Sequence, residues 1–167
     1  MNFINQIDFF KKMLKILNVQ KEALSEQLKD YTKDIEGAFN LNNEESLREN
    51  FGKYIKVFDE YKEEYEDKNS YIFENYLVNF IYNSLFPFNG HKTLFDGYIM
   101  LLMRYSFIRF YLVGMYLNEG ALSKENIIEV IQAFSKTIEH HRSFLIDALA
   151  YIKRQEFDNM EFAKLLL

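Results

Sequence analysis

Apolar side chains recur at steps of three and four through most of the chain, which is the spacing that places them on one face of an α-helix. The first predicted helix runs from about Asn2 to Leu17, and the second from about Gln20 to Ile35. A third begins near Asn42, and a fourth spans about Ser70 to Leu85. No segment has a convincing strand pattern, so we predict an all-α chain.

Polar caps mark the later helices, which surround the least charged part of the chain. The predicted caps are Thr93 for a fifth helix ending near Leu117, Ser123 for a sixth, and Asp158 for a short last helix. The predicted fold class is therefore all-α: a single helical bundle of six to eight helices around a buried apolar central helix. We expect one helical domain over residues 1–167, with charged amphipathic helices in 1–70 and apolar core helices in 71–167.

The segment from Tyr98 to Leu117 is about as long as a membrane span, which needs roughly 20 residues. It contains Arg104 and Arg109, and each arginine costs about 2.5–3.5 kcal/mol near the centre of a bilayer. We therefore interpret the segment as the central helix of a soluble bundle. The alternative, a membrane-embedded helix, predicts a protein that needs detergent.

Charge and cysteine content exclude several classes of function. The net charge is −5 and the chain has no basic run, so nucleic acid is not an expected partner. There is no cysteine, which excludes disulfides, thiolate nucleophiles and cysteine-ligated metal clusters within this chain. The N-terminus lacks the pattern of a signal peptide, so the expected location is cytoplasmic, with no membrane partner.

Charged and polar residues interrupt the apolar helices at a few positions. Glu74 falls in the helical sector of Val78, and Asn75 and Asn79 form a separate polar stripe at a step of four. On the fifth helix, Arg104 and Arg109 project about 140° apart. One interpretation is a structural ion pair between Glu74 and one of these arginines. The other is a polar pocket that receives a substrate side chain or a cofactor.

A second group of candidates is the segment from Ser135 to Arg142, which contains Glu139, His140 and His141. A histidine beside a carboxylate can act as a general base near neutral pH. Adjacent histidines do not suit a metal, because helical ligand pairs need spacings of three or four, and we predict no metal site. If one helix runs unbroken from Ile127 to Ile152, His141 lies on its buried stripe as a structural histidine and His140 points elsewhere.

Two stretches of the chain carry motifs of a known family. The first, Glu74-Asn75-Tyr76-Leu77-Val78-Asn79-Phe80 followed by Leu85-Phe86-Pro87-Phe88, resembles a segment of flagellin lysine N-methylases. The second, Ile131-Gln132-Ala133-Phe134-Ser135-Lys136-Thr137-Ile138-Glu139-His140, is similar to that family's Phe-Ser-Arg-x-x-Glu-His segment, with Lys136 where arginine is expected. Between them lies the aromatic-rich helix with Arg104-Tyr105 and Arg109. The similarity covers about residues 65–150.

The resemblance implies a role in S-adenosylmethionine-dependent methylation of flagellin lysines. Members of the family also carry a Cys-rich N-terminal half with an iron–sulfur centre, so this cysteine-free chain resembles only the C-terminal helical half. We expect either a fragment or a shortened relative that binds no cofactor and is inactive alone, with flagellin and a Cys-rich half as partners. The candidate functional residues, whose catalytic roles are unknown, are Glu74, Asn75, Asn79, Arg104, Arg109, Glu139 and His140.

A non-enzymatic interaction module is the alternative. The third helix has a strongly acidic face that includes Glu63 and Glu64, opposite an apolar seam. The acidic face would meet a basic partner, and the seam a partner helix.

Overall fold

The computed structural model describes residues 3–19, 24–41, 43, 45, 51–87, 91–138 and 140–167. These residues form helices joined by turns, and no strand occurs among them. The predicted fold class is therefore confirmed.

The helices follow one another closely along the chain, and two irregular turns join the third to the fourth. Their bounds are α1 Phe3–Val19, α2 Glu26–Ala38, α3 Phe51–Tyr61, a π-helical turn Lys62–Glu66, a 3₁₀ turn Asp67–Asn69, α4 Ser70–Asn83, α5 Leu94–Glu119, α6 Lys124–Thr137, α7 Arg142–Arg154 and α8 Met160–Leu165.

Helix α5 is the centre of the molecule. Nearly every side chain from Ile99 to Met115 is buried, including Arg104 and Arg109. Among the described residues, α5 alone is long and apolar enough to span a membrane, but 89% of its most apolar window is covered by the rest of the chain. This burial supports the prediction of a central core helix.

Helices that precede and follow α5 in the sequence complete the core. In α1, Met13 and Leu17 are fully buried, and the ring of Phe10 stacks 4.7 Å from that of Phe110. The last helix packs against α1, with the ring of Phe162 5.0 Å from that of Phe9 and 4.4 Å from that of Phe157. The core therefore draws on residues 1–70 as well as on the apolar middle of the chain.

Two of the predicted caps are confirmed and one is wrong. The Thr93 hydroxyl accepts a hydrogen bond from the Asp96 backbone N–H at 3.0 Å, and Ser123 forms a capping box with Asn126. The last helix is capped by Asn159 rather than Asp158, because the Asn159 Oδ1 accepts from the Phe162 N–H at 2.9 Å.

Two helix boundaries differ from the sequence prediction. Helix α2 begins at Glu26, because the Ser25 side chain caps it, and the predicted start at Gln20 lies outside the described residues. The sequence allows one unbroken helix from Ile127 to Ile152. This helix is interrupted, because α6 ends at Thr137 and α7 starts at Arg142.

Candidate functional site

A groove of about 720 Å³ opens beside the N-terminal half of α5. The end of α4 forms one side of this groove and α7 forms the other. Its described charged lining consists of Lys92, Asp96, Arg104, Arg142 and Lys153, with His91 between them. We call this space the basic groove, since its cations exceed its described carboxylates.

The one described carboxylate in the basic groove is held by a lysine. Lys153 Nζ lies 2.8 Å and 3.0 Å from the two carboxylate oxygens of Asp96, whose side chain is almost fully buried. Burial acts to raise the pKa of Asp96, but hydrogen bonds from Lys153 and Thr93 outweigh it and leave the pKa below its usual value. Asp96 is therefore ionised at neutral pH and its charge is balanced by Lys153.

Arg104 and His91 give the inner part of the basic groove its positive character. The Arg104 guanidinium lies 4.9 Å above the Phe80 ring, and its Nη1 donates to the Met100 carbonyl at 2.9 Å. Burial is the largest cause that lowers the pKa of His91, and the positive charge of Arg104 is the second. The negative charge of Asp96 opposes this shift. His91 is thus neutral at pH 7, as expected of an imidazole beside a guanidinium.

The break between α6 and α7 forms a second, more open space of about 650 Å³. We call it the histidine pocket, because His140 and His141 line it together with Ser25, Lys136 and Arg142. Arg142 also lines the basic groove, so the two spaces are neighbours. Of the candidates in this segment, His140 is exposed and Glu139 lies outside the described residues.

His141 acts as the N-cap of α7. Its Nδ1 accepts a hydrogen bond from the Phe144 backbone N–H at 3.3 Å, which places the ring proton on Nε2. Nε2 is buried and has no hydrogen-bond partner among the described residues. His141 is therefore the cap of a helix, and its predicted place on the buried stripe of one continuous helix is wrong.

Arg109 belongs to a buried cluster on the other side of α5. Its Nε donates to Glu66 Oε2 at 2.9 Å, and Tyr105 donates to Glu66 Oε1 at 2.7 Å. A further hydrogen bond joins Arg109 to the backbone oxygen of Leu167. Arg104 and Arg109 thus face different neighbours, as their spacing predicts.

The predicted pairing of Glu74 with one of these arginines is wrong. Glu74 is exposed, and the carboxylate that pairs with Arg109 is Glu66. The π-helical turn explains the difference, because its backbone bond runs from Asp67 N–H to the Lys62 carbonyl, five residues back. Because this turn takes five residues, Glu66 lies on the same buried side of the chain as Tyr61, five residues earlier.

The outer face of α4 carries the remaining candidates. Asn75 and Asn79 are exposed with Glu74. An exposed apolar stripe runs between them and ends two residues past the helix: Tyr71 (49% exposed), Val78 (44%), Tyr82 (77%) and Leu85 (73%). Tyr71, Val78 and Tyr82 follow steps of seven and four, so they share one side of α4, and Leu85 lies in the turn after it. We call these four residues the α4 stripe.

The family model for the FliB lysine N-methylase C-terminal domain matches residues 1–166. The chain belongs to this family. The match extends well beyond the 65–150 region in which the sequence resemblance is visible. No curated protein and no solved structure matches the chain.

In this FliB C-terminal domain, the two stretches that resemble the family lie in different helices and contain both buried and exposed side chains. The first lies in α4 and in the turn after it, and the second lies in α6 and ends at the histidine pocket. Among the described residues, no group of three or more His, Asp or Glu side chains is placed to hold a metal ion.

Sequence patterns missed two side chains of this FliB C-terminal domain. Glu66 was not predicted, because its burial depends on a π-helical turn that spacings of three and four do not reveal. The role of Lys153 was not predicted, because its partner Asp96 lies 57 positions away in the sequence. No local pattern records such a distance.

Proposed function

We propose that this chain is the helical region of a cytoplasmic bacterial enzyme that methylates flagellin lysines with S-adenosylmethionine. Membership of the FliB C-terminal domain family over residues 1–166 carries this proposal. In it, the chain supports the fold of the enzyme and the binding of flagellin, and the methyl transfer itself uses a Cys-rich part outside this chain.

We propose that the family's iron–sulfur centre lies outside this chain, because the chain has no cysteine to ligate one. We therefore assign no methyl-transfer step to this chain.

The α4 stripe is the proposed contact with the Cys-rich part. Single exposed apolar residues are ordinary on a protein surface, but here three share one side of α4 and a fourth lies in the turn directly after it. Glu74, Asn75 and Asn79 flank this face and lie in the stretch that resembles the family. An apolar strip with polar neighbours has the composition of a protein–protein interface.

The test starts from the DNA upstream of the Met1 codon, where we expect a Cys-rich reading frame in phase or directly adjacent. The two parts are then co-expressed and purified together, and we expect Tyr82→Ser with Leu85→Ser to abolish the complex. Val19→Ser with Met160→Ser is the matched control, since both side chains are exposed elsewhere on the surface. No Cys-rich frame, or a complex that resists the α4 changes, would overturn the proposed contact.

Glu74 provides a second test in the intact enzyme. Because Glu74 is exposed, Glu74→Ala leaves the fold unchanged and removes only its surface contact. We expect lower lysine methylation of flagellin by mass spectrometry. Unchanged methylation with an intact fold would remove Glu74 from the proposed functional surface.

A non-enzymatic interaction module is the second candidate function. Asp59, Glu63 and Glu64 are exposed at the end of α3 and in the π-helical turn, as an acidic docking face requires. This function predicts salt-sensitive binding of a lysine-rich peptide, lost in the charge reversal Glu63→Lys with Glu64→Lys. Binding that changes with neither the salt concentration nor the charge reversal would contradict this function.

A further inference from the structure

The basic groove combines two kinds of wall. Its inner wall comes from α5 and the segment before it, with Arg104 buried and Lys92 exposed at the rim. Its outer wall is α7, where Leu145, Ile146 and Leu149 line the space. The Ile146 side chain is 58% exposed, so this wall is open to a ligand.

The electrostatic balance of the basic groove favours an anion. Four cationic side chains line it among the described residues, and the Asp96 carboxylate is already held by Lys153. Neutral His91 adds a ring that can donate a hydrogen bond. Opposite charge placed in a cleft with apolar walls is stabilised more than on an open surface.

The size of the basic groove suits a small molecule. At about 720 Å³ it falls within the roughly 300–1,000 Å³ of ordinary ligand sites. Such sites combine apolar walls with a few polar groups that fix the ligand's orientation. Here Leu145, Ile146 and Leu149 lie on α7, which also carries Arg142 and Lys153, while Arg104 lies on α5 and Lys92 in the segment before it.

We propose that the basic groove binds a small molecule with a phosphate or carboxylate group attached to an apolar body. The anion lies between Arg104, Lys92 and Arg142, and the body packs on Leu145, Ile146 and Leu149. This inference does not rest on the proposed function, since it uses neither the α4 stripe nor flagellin.

The test is a titration of the purified chain, followed by backbone NMR shifts. The probes are phenyl phosphate, phenylbutyrate, inorganic phosphate and benzyl alcohol. We expect saturable shifts around His91 and Ile146 with phenyl phosphate or phenylbutyrate, and weaker binding of the other two probes. The stronger of the first two identifies whether the anion is a phosphate or a carboxylate.

Variants at exposed positions localise the binding without risk to the fold. We expect Lys92→Gln and Arg142→Gln each to weaken binding about tenfold. Lys136→Gln is the matched control, because Lys136 lines only the histidine pocket. Absence of saturable shifts with both aryl anions, or equal weakening by the control, would overturn the proposal, and neither result bears on flagellin methylation.

Discussion

At the scale of single residues, the two carboxylates that are buried among the described residues each pair with a cation: Glu66 with Arg109 and Asp96 with Lys153. Glu66 and Arg109 are 8% and 3% exposed, and Asp96 is 2% exposed beside Lys153. A buried charge without a partner is strongly unfavourable, so the partners decide whether these sites stabilise the fold.

Glu66→Gln keeps the shape of the side chain and removes the charge that balances Arg109. We expect a loss of about 3–5 kcal/mol in the free energy of unfolding, because it leaves a buried guanidinium uncompensated. Urea denaturation measures this loss, with the exposed Glu63→Gln as control. A loss of less than about 0.5 kcal/mol would mean that water or another group compensates Arg109.

The pair of Asp96 and Lys153 makes a pH-dependent contribution. The folded pKa of Asp96 lies below the unfolded value of 3.8, so its contribution is complete above that value and is lost as pH falls through the folded pKa. Lys153→Met removes the largest opposing contact, and burial then raises the folded pKa. We expect the free energy of unfolding to depend less on pH between about 3 and 5 in this variant. An unchanged pH profile would contradict the pairing.

At the scale of helices, sequence patterns predicted most elements and failed where tertiary contacts decide the geometry. Thr93 and Ser123 were readable as caps because capping is local. The π-helical turn could not be predicted from local sequence. Burial of Glu66 is favourable only because its partner Arg109 lies on another helix. The break before His141 was missed for a related reason, because the apolar spacing continues across it.

The close approach of α2 and α5 depends on Gly114. A Cβ at this position would lie 2.8 Å from Cγ1 of the fully buried Ile35. We expect Gly114→Ala to lower the free energy of unfolding by about 1–3 kcal/mol from overpacking, less about 1 kcal/mol gained in helix propensity. Thermal or urea unfolding measures the difference.

Gly37 in α2 is the matched control for Gly114. A Cβ there would meet nothing within 4 Å, so Gly37→Ala is expected to stabilise by about 0.5–1 kcal/mol. Opposite signs for the two changes support the close packing of α2 on α5. A stabilising Gly114→Ala would contradict it.

At the scale of the whole molecule, the described candidate residues separate into four regions. Arg109 belongs to a structural cluster, Arg104 lines the basic groove, and His140 lines the histidine pocket. Glu74, Asn75 and Asn79 flank the α4 stripe. The sequence identified these residues as polar interruptions of apolar helices. It could not assign each residue to its region, because that depends on which helices face each other. The family, by contrast, was visible from two local stretches.

Flagellin methylation in cells that express the chain shows whether the chain is needed for this modification. The coding sequence is removed and then restored as wild type or as Tyr82→Ser with Leu85→Ser, and lysine methylation of flagellin is measured by mass spectrometry. We predict that methylation disappears on removal, returns with the wild type, and does not return with the α4 variant at equal protein level. Methylation that persists without the chain would contradict its role in this modification.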